Sequence, residues 1–335
     1  MKKTISRRTA IKGIGAGVAV GAIGMPYVVR AATPIGIGYL HTLAVDGQIW
    51  LADHMGTFKK EGLEPKFVKF TTGLGLFQAM IGGSIDMLST GAVISNFPAR
   101  GQGKAFMMND IEFATAQLWV NPKMGVSSFK DLKGKSISTT RGTTAHVFLD
   151  RALRANGITP DKDVKIINQR MSEAVTSFIS GAVPAVALWV PFDIAVRQKL
   201  PGAKMLVDAS KFYPEAAIVD GWACNNDYFD KNKEILKRVI KAWVPANDYL
   251  ISHTDEALAA LHEKYYPKVP LADLKVQIKA EKLFTSKEWA AKYKDGTVTT
   301  WLQKVTDFYV SVGGIKDPVP AKKYFDPSLY LDVVG

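Results

Sequence analysis

The residues best placed to do chemistry lie in short turns rich in hydroxyls and glycine. The most informative is Thr140-Arg141-Gly142-Thr143-Thr144. A run of β-branched and small residues, 135–139, leads into it as a strand. Ala145, Phe148, Leu149 and Ala152 then fall at i, i+3, i+4 and i+7, the apolar stripe of a helix. The first N–H groups of that helix have no backbone acceptor and sit at the positive end of its dipole. Gly142 allows close approach of a ligand, and the Thr143 and Thr144 hydroxyls can donate beside the N–H groups. Sulfonate, carboxylate, phosphate or nitrate would suit such a turn. The alternative is that Thr143 only caps its own helix.

Other reactive chemistry is thinly represented. The single cysteine, Cys224, allows no disulfide framework and no CxxC or Cys/His zinc pattern. None of the five histidines forms an HExxH pair. No Ser/His/Asp spacing or paired-acid motif stands out, so we expect no metal, no cofactor and no catalytic residue. His41 and His146 read as local hydrogen-bonders, with ligand contact as the other reading for each.

Three further turns close predicted strands. His41-Thr42 follows a strand over 35–40, Thr72-Gly73 follows one over 64–70, and Thr90-Gly91 follows one over 85–88. Helical segments near 46–55 and 74–81 alternate with them. This order of strand, helix and strand predicts parallel pairing with right-handed crossovers. In such open sheets a ligand sits beyond the carboxyl ends of the strands. Residues 113–120 read as another strand, broken by Asn121-Pro122 at a candidate crossover into a second lobe. Trp189 ends a strand over 185–188. MIGGSIDMLSTG (80–91) and FISGAVPAVALW (178–189) align without gaps, as two lobes of one design would. Residues 205–208 and 218–225 look extended and return the chain to the first lobe. Trp222, beside that return, reads as core or as a second cleft wall. The remainder is helical.

The net charge of +12 is concentrated at the amino terminus. Residues 1–32 carry six of the cationic side chains and no acid, so removing them leaves +6, which weakly favours an anionic ligand or surface. The basic 1–12, the apolar Gly/Ala-rich 13–29 and the small residues before Ala32 make residues 1–31 an export signal. SRRTAIK (6–12) resembles the twin-arginine signal, departing from it at Ala10. A paired arginine in an ordinary secretory signal is the alternative. No lipid-anchor cysteine follows, so we expect a periplasmic protein that is not lipid-anchored. No basic helix-turn-helix is present, and no nucleic-acid partner is expected.

FKKEGLEPKFVKFTTG (58–73), IGGSIDMLSTG (81–91), FKDLKGKSISTTRGTTAH (129–146), the 181–192 run and NNDYFDKNKEILKRVIKAW (225–243) together resemble the solute-binding proteins of ABC importers, of the nitrate/sulfonate/taurine type. The resemblance implies an α/β protein of the type II periplasmic binding fold. It would have two α/β lobes, 33–120 plus 218–335 and 121–217, joined by two crossovers around a ligand cleft. It also implies a small anionic solute, ABC permease transmembrane subunits as partners, and a monomer. The family's anion-binding turn maps onto Gly142, Thr143 and Thr144. Its cleft also uses Thr72-Gly73, Thr90-Gly91 and Trp189. Arg141 either pairs with a carboxylate of the ligand or is a solvated charge. The chain departs at Val190 and Pro184, where many relatives have Asp, so a ligand-ammonium contact is not carried over from position 190, nor is taurine itself. A sensory module of the same fold, and an enzyme similar to the thiamine-pyrimidine synthases, are the alternative functions.

Overall fold

The computed structural model describes residues 32–335. The export signal expected over residues 1–31 lies outside the described residues. Among the described residues, ten strands form two five-stranded sheets. They are β1 (Thr33–Tyr39), β2 (Leu63–Lys69), β3 (Met87–Thr90), β4 (Lys104–Ile111), β5 (Ala116–Val120), β6 (Ser136–Thr139), β7 (Lys165–Asn168), β8 (Ala185–Trp189), β9 (Lys204–Asp208) and β10 (Val219–Cys224). The first sheet runs β2-β1-β3-β10-β4 and the second β7-β6-β8-β5-β9.

The two orders are the same pattern. In the first sheet β1 pairs in parallel with β2 and β3, while β10 is antiparallel to β3 and β4. In the second, β6 pairs in parallel with β7 and β8, while β5 is antiparallel to β8 and β9. The aligned segments 80–91 and 178–189 therefore end in equivalent strands, β3 and β8. Each sheet also holds one antiparallel strand, β10 or β5, that arrives from the other lobe.

Sheet pairing moves the first crossover upstream of the expected Asn121-Pro122. β5 belongs wholly to the second sheet, so the chain changes lobe over residues 112–115. It returns between β9 and β10. The β4 strand was hidden in sequence because KAFMMNDI has no alternation; every residue after Lys104 is buried.

Helices α1 (Leu43–His54), α2 (Thr57–Lys60) and α3 (Gly73–Ile81) belong to the first lobe. Helices α4 (Thr144–Ala155), α5 (Met171–Ile179) and α6 (Phe192–Lys199) belong to the second. Asp46, in the first turn of α1, is fully buried and accepts the N–H groups of Thr42 at 3.0 Å and Leu40 at 3.4 Å. Burial nevertheless pushes its carboxyl up to about 7.

Trp222 on β10 is 0% exposed. Its indole N–H donates to Asn109 Oδ1 at 2.8 Å. The Asn109 amide in turn donates to Ser89 Oγ at 2.7 Å and to the Val45 carbonyl at 3.1 Å. This buried network ties β10, β4, β3 and α1 together. Trp222 is thus a core residue and not the cleft wall proposed above, because its side chain faces inward from the centre of the sheet.

Trp222→Phe strands the Asn109 carbonyl oxygen in the core. Urea denaturation should show a loss of about 1–3 kcal/mol, with ligand affinity unchanged. Asp46 gives a pH signature. Its folded pKa lies above the ordinary carboxyl value of about 3.9, so the stability it contributes is complete below that value and lost as pH rises toward about 7. Asp46→Asn should gain on wild type across that window by up to about 1.4 kcal/mol per pH unit, read from denaturation midpoints at successive pH values.

Candidate functional site

The carboxyl end of β3, the amino ends of α1, α3 and α4, and the end of β8 meet around one cavity of about 500 Å³. Thr42, Thr72, Gly73, Thr90, Gly91, Thr143, Thr144 and Trp189 all line it. A second compartment of about 960 Å³ adjoins it on the outer side. Leu40, Thr42, Thr72 and Trp189 line both, so the two share a wall. The outer compartment adds His41, Lys69 and Arg170, the first two from the first lobe and Arg170 from the second.

The turn before α4 is built differently on its two sides. On the cavity side, Thr143 Oγ1 donates to the Thr140 carbonyl at 2.7 Å, leaving the helix end without a side-chain cap. Thr144 Oγ1 accepts the Ala92 N–H at 3.2 Å and donates to Glu112 Oε1 at 2.6 Å. The carboxylate of Glu112 therefore already stands at the positive end of α4. On the outer side, Arg141 pairs with Asp161 at 2.5 Å and lines neither compartment. Gly142 has φ +77°, the left-handed region that favours glycine. Its N–H donates to His146 Nδ1 at 3.1 Å, and its carbonyl accepts the Tyr309 hydroxyl at 3.1 Å. Gly142 shapes the turn without lining the cavity. Burial, reinforced by Arg141, lowers the His146 imidazole to about 4, which keeps Nδ1 free to accept that N–H.

His41 lines the mouth from a left-handed backbone, φ +63°, with its ring stacked on Tyr266 at 4.6 Å. Burial, then Lys69, lowers its pKa. Trp189 is half-buried and meets Phe192 edge-on at 5.7 Å, leaving a face for an apolar solute.

Sequence reasoning missed the floor. Glu112 and Thr115 sit on the first crossover, and Asp220 is the second residue of β10, just after the second. Glu112 Oε2 accepts the Thr115 hydroxyl at 2.7 Å. A register shift between Asp220 and Gly221 marks a bulge, a device that re-aims side chains beside sites. A Cβ on Gly221 would lie 2.6 Å from the Met107 carbonyl oxygen, so glycine is needed where β10 hugs β4. The available signal was an acid interrupting an apolar strand, at FMMNDIE and at IVDGW.

Residues 47–257 match the family described as NMT1/THI5 like. A Brucella abortus (strain 2308) chain named as a binding protein is 29% identical over 292 residues, 87% of this chain and 90% of its own length. The taurine-binding periplasmic protein of Escherichia coli (strain K12) is 26% identical over 218 residues, 64% of this chain and 66% of its own. The alkanesulfonate-binding protein of Xanthomonas axonopodis pv. citri, solved bound to MOPS, superposes with a TM-score of 0.72 at 19% identity. That superposition spans 89% of this chain and 99% of the other, and it shows the two-lobed periplasmic binding protein fold. With well over half of its length matched, the chain belongs to the NMT1/THI5-like family.

Proposed function

We propose that this protein is the solute-capturing component of an ABC importer. It takes a small organic solute with an anionic group into the cleft between the lobes and hands it to a membrane permease. The observation that carries this reading is the pair of adjoining compartments lined from both lobes, with Trp189 on the wall they share. Lys69 and Arg170 flank its mouth from opposite lobes, a cationic entrance that raises the local concentration of an anionic solute. The amino ends of α3 and α5 add partial positive charge along the same path. Two lobes joined by two crossovers suit closure around a bound solute.

Binding is favoured over catalysis by the inner lining, which consists of hydroxyls, aliphatic groups, Trp189 and two carboxyls. It presents no His, Cys, Lys or Arg. The site residues under this reading are Thr42, Thr72, Gly73, Thr90, Gly91, Thr143, Thr144 and Trp189, with His41 at the mouth. Residues 1–31, read as a twin-arginine-like leader, would place the mature monomer in the periplasm. A sensory module would use the same cleft and is separated by uptake in a deletion strain.

Trp189→Ala should weaken binding of a bound organic acid by about 10–100-fold, or roughly 1.4–2.8 kcal/mol. Isothermal titration with alkanesulfonates and aromatic carboxylates reads this directly. If no member of such a panel bound the wild-type protein, the solute-capture reading would fail.

A further inference from the structure

Among the described residues, Arg141, Arg154 and Arg197 pair with carboxylates, and Arg100 and Arg238 donate to backbone carbonyls. The guanidinium groups of Arg151 and Arg170 are the described ones that reach no acceptor, and both line cavities. Arg170 stands at the mouth of the cleft. Arg151 lies on α4, about two turns beyond Thr144, in a separate crevice that shares no residue with either cleft compartment.

Both lobes line that crevice. Phe148 and Arg151 of α4 come from the second lobe with Phe212, and Ile218 comes from the returning connection. Lys304 and Val305 come from the helix Thr297–Ser311, which packs on residues 92–95 of the first lobe. The remaining walls are Val and Ala, and no acid lines the crevice. Val147, Arg151 and Phe212 also line a wider groove outside it. The acid of that groove, Asp150, is already held by Arg154 at 2.9 Å. Lys304 Nζ donates to the Glu215 carbonyl, so its charge meets no carboxylate.

Arg151 is half-buried, and burial pulls its guanidinium below the ordinary value, with Asp150 a weaker opposing influence. A cation that has lost water without gaining an acceptor is relieved by an anion. Two cations and no acid match a dianion, whereas a carboxylate or sulfonate brings a single charge. The guanidinium fork can hold two phosphate oxygens at once, and an ammonium group can take a third as a point charge. The apolar remainder of the lining suits a hydrocarbon or aromatic substituent.

We propose that this crevice is a second binding site, separate from the solute cleft, for a phosphate monoester with an apolar or aromatic body. The phosphoryl oxygens bridge Arg151 of one lobe and Lys304 of the other, and the body rests on Phe212 and Val305. Such a ligand needs both lobes. It therefore selects the arrangement in which the two side chains face one crevice, and stabilises it by mass action.

Isothermal titration of the full mature chain with phenyl phosphate tests this. Phenyl phosphate should bind wild type and Trp189→Ala alike. Arg151→Gln and Lys304→Gln, each with its fold checked by a thermal melt, should weaken it at least about tenfold. Inorganic phosphate should bind wild type more weakly by a similar factor, and phenol should not bind. Labelling of arginines with phenylglyoxal, read by peptide mass spectrometry, should show Arg151 protected by phenyl phosphate while Arg170 stays reactive. Absence of phenyl phosphate binding overturns the proposal, as does binding that survives Arg151→Gln. Loss of binding in Trp189→Ala with protection of Arg170 would place the probe in the cleft and overturn it as well. None of these results bears on solute capture, which stands or falls with the sulfonate and carboxylate panel.

Discussion

The hydroxyl of Thr144 holds the two lobes in one electrostatic unit. It belongs to α4 of the second lobe, accepts the Ala92 N–H from the first, and donates to Glu112 on the segment between them. Tyr309 reinforces the same seam, its hydroxyl reaching the carbonyls of Gly142 at 3.1 Å and Ala92 at 3.4 Å. Glu112 thereby supplies the negative charge that the α4 dipole attracts. An anionic ligand group has no vacancy at that helix end, and the partial charge that first suggests an anion site is spent internally. The same holds at α1, where Asp46 fills the role.

The two crossovers are joined to each other and to a third segment. The Glu112 N–H donates to the Ile218 carbonyl at 2.9 Å, and Ile111 and Lys282 exchange hydrogen bonds of 3.0 Å. The Ala114 N–H reaches the Ala280 carbonyl at 2.7 Å. Asp110, Glu112, Asp220 and Glu281 all lie on these strands and connections, so the unsatisfied carboxyls sit at the junction and not within either lobe's own core. Groups in that position feel any relative rotation of the lobes, since the dielectric and the donors around them change with it.

Much of the fold could be read from the chain, because hydrophobic period and glycine placement are local signals. The parallel strands β1, β2 and β3, the turn before α4 and the duplicated strand ends at Thr90 and Trp189 are of this kind. Arg141 was ambiguous because its partner, Asp161, is 20 residues away in sequence, and no local rule selects a salt bridge over a ligand. Trp222 was ambiguous because a strand buried on both faces has no alternation to say which side a residue takes. β4 escaped for the same reason, and with it Glu112.

Duplication explains which part of the site a sequence can disclose. The walls come from equivalent positions in two copies of one sheet pattern, so each copy supports the reading of the other. The crossovers have no counterpart, since 112–115 leads out of the first lobe and the segment before β10 leads back. A residue there takes its meaning only from what the other crossover places against it. Asp220 looks like an ordinary strand-start polar residue until β4 and the first crossover bring Asp110 and Glu112 beside it. The buried carboxyls are therefore a property of the joint, and the shape of the cleft is a property of the lobes.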